Sequence, residues 1–75
     1  MTRLPVVSGT RAIAAFKRDG WVVARRQSSH VTMKKAGYRF LLTVPAAKEL
    51  DRGLLRRLIK DAGLTVERFR DLLER

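Results

Sequence analysis

Between Trp21 and Val44 the chain carries three short runs of strand-forming residues, and the segments on either side follow helical spacing instead. That change of period leaves few folds open to it. Trp21 to Arg26 is rich in aromatic and β-branched residues, which predicts a strand, and Gln27-Ser28 can turn. Ser29 to Lys34 alternates, with Val31 and Met33 on one face and His30, Thr32 and Lys34 on the other. Lys35-Ala36-Gly37 predicts a hairpin turn. Tyr38 to Val44 then predicts a third strand, with Tyr38, Phe40, Leu42 and Val44 on one face and Arg39, Leu41 and Thr43 on the other. Pro45 ends it, because proline has no N–H to donate to a ladder.

Upstream, Ser8 is suited to cap a helix over residues 9–19, with Ala12, Ile13 and Phe16 as its apolar stripe and Gly20 as its stop. Downstream, Leu54, Leu55, Leu58, Ile59 and Ala62 form a broad apolar helical face, opposite Arg56, Arg57, Lys60 and Asp61, with Gly63 as the stop. Thr65 begins a last short helix that turns Val66, Phe69, Leu72 and Leu73 inward. The expectation is an α+β fold of order α-β-β-β-α plus a short C-terminal helix, built on a three-stranded antiparallel sheet. In topology it resembles a double-stranded-RNA-binding domain. Seventy-five residues make one domain over 1–75 with a single modest core.

Charge narrows the partner. The net charge is +10, and residues 1–48 hold ten Lys or Arg against one acid, Asp19, whereas residues 49–75 hold seven against six. A basic surface of this kind attracts a polyanion, because each neutralised phosphate releases counterions. There is no Cys and a single His, so neither a disulfide nor a zinc or iron site is expected, and no cofactor. No apolar run reaches the ~20 residues of a membrane span, and Met1-Thr2-Arg3-Leu4-Pro5 lacks the apolar stretch of a signal peptide. A cytoplasmic protein is expected.

The lone His30 lies in Arg25-Arg26-Gln27-Ser28-Ser29-His30-Val31-Thr32-Met33-Lys34-Lys35. If Val31 and Met33 pack on the core, His30 points outward, with Thr32, Arg39 and Thr43 expected as neighbours. An imidazole there suits general acid–base catalysis at neutral pH. RNA carries its own nucleophile, the 2′-OH, so an imidazole and a few cations could cleave it without metal, while DNA would be spared. Arg25, Arg26, Lys34, Lys35 or Arg39 could stabilise the phosphorane charge. The second proton would have to come through water, Tyr38, a lysine, or His30 of a second subunit. Two other readings stay open. One is an RNA-binding module that does no chemistry. The other is a protein-interaction subunit that pairs through the Leu54–Ile59 stripe. Trp21, Tyr38 and Phe40 could stack bases, although core packing is expected of each.

Three segments in order resemble the HicA family of toxins from bacterial toxin–antitoxin pairs. They are Leu4-Pro5-Val6-Val7-Ser8-Gly9, then Arg25-Arg26-Gln27-Ser28-Ser29-His30-Val31, then Thr43-Val44-Pro45 with Lys48-Glu49-Leu50 and Gly53 to Leu64. The resemblance implies a double-stranded-RNA-binding-like fold and translation-independent cleavage of mRNA, with His30 as the catalytic residue. It implies a HicB-type antitoxin that covers the site, and the basic segment is expected to bind RNA through Arg25, Arg26, Ser28, Ser29, Lys34, Lys35 and Arg39. The chain departs from the family pattern at Ser28, where glycine is usual, and at Ala46-Ala47, where many relatives carry a second His. A degenerate, inactive toxin is therefore a further alternative.

Overall fold

A computed structural model describes residues 3–75; Met1 and Thr2 of the N-terminal segment lie outside the described residues. The element order is α1 (Gly9–Arg18), β1 (Val22–Gln27), β2 (His30–Lys34), β3 (Leu42–Pro45), α2 (Arg52–Asp61) and α3 (Val66–Leu73). The fold is α+β, as expected, with an antiparallel sheet in the order β1-β2-β3 and the extra C-terminal helix.

Each helix begins where a side chain accepts an otherwise orphaned backbone N–H. Ser8 accepts from Arg11, Asp51 from Leu54 and Thr65 from Arg68. The inward sheet residues Val31, Met33, Leu42 and Val44 join Phe16, Trp21, Leu55, Ile59, Phe69 and Leu72 in one buried cluster. Phe16 and Phe69 join α1 to α3 with ring centroids 5.2 Å apart. Arg18 fastens the same pair of helices by donating to the Leu72 carbonyl at 2.7 Å.

β3 is shorter than its composition predicts. Residues Val31↔Val44, Thr32↔Thr43 and Met33↔Leu42 pair, and the strand begins only at Leu42. A three-residue turn at 35–37 would have set Lys34 against Tyr38 and Met33 against Arg39, mixing charge into the inward face. The observed register keeps both apolar stripes inward, and the extra chain becomes a longer loop. Trp21 is buried as expected. Tyr38 and Phe40 are not core residues: they are 42% and 60% exposed.

Gly9 is fixed by the approach of α1 to the end of β3. A Cβ built there would sit 2.0 Å from the Pro45 carbonyl oxygen. The same contact is clamped by Gly9 N–H donating to Ala47 at 2.9 Å and Leu50 N–H to Val7 at 2.8 Å. Gly9→Ala must push backbone apart, at a cost of about 1–3 kcal/mol. A thermal melt should show a Tm lowered by about 4–8 °C per kcal/mol. An unchanged Tm would mean that this junction is loose.

Candidate functional site

The ladder fixes which side chains share the sheet's outer face, opposite the buried stripe; at its β3 edge Leu41 and Thr43 share a cleft with Leu54, Arg57, Leu58 and Asp61 of α2. Cross-strand partners lie on the same side, so the face is three rows deep. Gln27, His30 and Pro45 form the first row, Arg25, Thr32 and Thr43 the second, and Val22 and Lys34 the third. Arg25, Gln27, His30 and Lys34 are all exposed. Rows on one face are two residues apart, so His30 and Lys34 stand about 13 Å apart along β2.

A bulge decides where the arginines go. The register shifts between Val23 and Arg25, leaving Ala24 extra. Without it, strict alternation from the inward Val23 would turn Arg25 inward and Arg26 outward. With it, Arg25 pairs with Thr32 on the outer face, and Arg26 pairs with buried Val31 on the helix side. There Arg26 lines a cleft with Thr10, Ile13, Ala14, Lys17 and Ala46. Nothing in the composition of the strand signals this inserted residue.

The other residues singled out in the sequence fall into different places. Ser28 and Ser29 form the two-residue turn between Gln27 and His30. Ser28 adopts φ 57°, the only positive φ of a non-glycine residue in the described chain. The Ser29 carbonyl accepts from Ala46 N–H at 2.6 Å, which anchors the turn to the chain leaving β3. Lys35 is engaged: its Nζ lies 3.2 Å from Asp19 Oδ2 and 5.0 Å from the centre of the Tyr38 ring. Arg39 sits in the loop before β3, beyond Lys34, so it is not brought beside His30. Tyr38 also lies at that far end, its ring tilted by 54° against Trp21 with centroids 5.3 Å apart.

His30 therefore occupies the first position of the central strand, immediately after a tight turn, on an uncovered face with Arg25 in the next row. Its immediate cross-strand partners, Gln27 and Pro45, have no titratable group. Among the described residues, no three His, Cys, Asp or Glu side chains cluster closely enough to hold a metal ion. Among the described residues, no helix is long and apolar enough to cross a membrane.

These features define a small one-sided α+β domain whose bare sheet face is cationic around a single imidazole. The family described as HicA toxin of bacterial toxin–antitoxin matches residues 9–64, most of the domain, and the chain belongs to that family. A comparison with curated proteins finds no match. Family membership implies a cognate antitoxin partner.

The turn gives a test of local strain. The left-handed conformation costs an L-residue about 1–2 kcal/mol, and glycine escapes it. Ser28→Gly should stabilise the domain by about 1 kcal/mol and raise Tm by about 4–8 °C in a thermal melt. A lowered Tm would show that the serine side chain supports the turn.

Proposed function

We propose that this chain is the toxin of a type II toxin–antitoxin pair, a cytoplasmic endoribonuclease that cleaves mRNA without metal and is neutralised by a HicB-type antitoxin. The observation that carries the reading is the placement of His30 on the uncovered sheet face, in the row next to Arg25. The imidazole takes the proton of a ribose 2′-OH. The freed oxygen attacks the adjacent phosphorus, and the bond to the 5′-oxygen of the next nucleotide breaks. The products are a 2′,3′-cyclic phosphate and a 5′-hydroxyl. Arg25 supplies positive charge toward the phosphorane, where preorganised donors contribute most.

The 5′-oxygen leaves with a proton. Tyr38 and Lys34 are a sheet-length away from His30 in the same protomer, which leaves water, or His30 of a second copy, to bring it. Ser28 and Ser29 hold the turn that aims His30. Lys34 and Arg39 reach phosphates farther along the strand. Lys35 and Arg26 lie beside this path, one paired with Asp19 and the other on the helix side.

A second reading, an RNA binder or degenerate toxin without chemistry, is favoured by one observation. The partners of His30 in its own row, Gln27 and Pro45, offer no second proton carrier.

One assay separates the two: a structured RNA and a DNA of the same sequence, incubated in EDTA with the wild type and with His30→Ala. The expected outcome is RNA cut by the wild type alone, DNA intact, and a His30→Ala melting temperature within about 2 °C of wild type, as for an exposed residue. No cleavage by the wild type, with salt-sensitive binding by both proteins, would favour the binder. Charge reversal of Arg25 and Lys34 together should flatten the salt dependence of RNA affinity, by about 0.7–0.9 in log–log slope per lost phosphate contact. An unchanged slope would remove this face from the RNA path.

A further inference from the structure

The outer sheet face is not uniform. Among the described residues, five large apolar side chains stay exposed: Val6, Val22, Tyr38, Phe40 and Leu41. All but Val6 gather at the end of the sheet away from His30, where β1 begins, β2 ends and β3 begins. Val22 is 51% exposed beside its partner Lys34, and Leu41 is 59% exposed just ahead of β3. Val22, Lys34, Lys35, Ala36, Gly37 and Tyr38 line one shallow depression there. Phe40 follows in the loop, 60% exposed. A 75-residue domain has little apolar surface to spare, and register alone does not require these side chains to be bare.

The charges at this end indicate an occupant. Lys34 and Arg39 have no ion-pair partner among the described residues. Asp19 is already taken by Lys35, and Asp61, which shares a cleft with Leu41, lies 3.9 Å from Arg57. The exposed Phe40 ring, next in sequence to the free cation Arg39, offers a base a stacking surface and its phosphates a counter-charge. That combination holds single strands, whose bases are unstacked and available; a duplex keeps its bases stacked inside.

We infer that the exposed ring of Phe40, in the loop that leads into β3, forms a subsite for an unpaired nucleobase of an RNA single strand. Lys34 and Arg39 hold the adjoining phosphates. The inference rests on the ribonuclease reading and makes it narrower, since it selects single-stranded over duplex substrate. The ~13 Å from Lys34 to His30 corresponds to about four nucleotides at stacked spacing, and fewer when the strand is splayed. The strand thus runs from the apolar end, past Thr32 and Arg25, to the imidazole.

Binding to RNA that cannot be cut tests the subsite apart from the chemistry. The probes are a fluorescein-labelled ten-nucleotide 2′-O-methyl RNA strand and the duplex made from it, with anisotropy read at one fixed salt concentration. Methylation removes the nucleophilic 2′-OH, so the result is the same whether or not His30 is catalytic. Phe40→Leu keeps apolar bulk but removes the ring, and should weaken single-strand binding roughly tenfold, while duplex binding changes less than twofold. Phe40→Tyr keeps the ring and should retain wild-type affinity. Wild-type protein should prefer the single strand to the duplex. Equal loss on both probes, no loss with Phe40→Leu, or a wild-type preference for duplex would each overturn the subsite. If Phe40→Leu instead spared RNA binding and released the antitoxin, the patch would be a protein-docking surface and the subsite would be rejected.

Discussion

The whole arrangement depends on the burial of one stripe of the sheet, Val31, Met33, Leu42 and Val44, against the helices. A strand's side chains alternate strictly, so whatever the core takes from β2 dictates what β2 gives to solvent. Burying Val31 and Met33 leaves His30, Thr32 and Lys34 no choice of side. The core therefore orients the exposed residues, although none of its members touches that face. Because fully burying a large apolar side chain is worth about 1.5–3 kcal/mol, several such residues together hold this parity against any local preference of the polar ones.

Two local irregularities then adjust what parity alone would give. The extra Ala24 in β1 sends Arg25 to the outer face and Arg26 to the helix side, so neighbouring arginines with the same chemistry have different surroundings. The tight turn places His30 at the very start of β2, with Ser28 bearing the backbone strain. Both features act over one or two residues. Together they decide which cations stand near the imidazole and how rigidly it is presented.

Much of this was legible in the sequence. The helix caps at Ser8 and Thr65, the parity of Val31 and Met33, and the outward placement of His30 follow from residue types and spacing. The family resemblance carried the fold and the toxin class further than spacing could. The start of β3 was not legible, because Tyr38-Arg39-Phe40-Leu41 alternates as well as any strand. What excludes it is pairing: the register that buries Leu42 against Met33 leaves those residues opposite their own turn. The bulge at Ala24 was equally hidden, since an inserted residue has no compositional mark. Arg39 was expected beside His30 on the strength of that longer strand, and the loop removes it. Phe40 and Tyr38 looked like core residues for the same reason, and their exposure appears only once the loop is placed.

β1 lies at the edge of the sheet, and most of its residues are exposed. An uncapped strand edge is a template on which another chain can add itself, and the usual protection is charge on the strand. Arg25 and Arg26, on opposite faces because of the bulge, put a cation on both sides of that edge. Two copies brought together along that edge would set like charges opposite each other on both faces, a cost to edge pairing. Arg25 thus bears on two things at once, the charge of the RNA face and the cost of edge pairing, whereas Arg26 bears on the second alone.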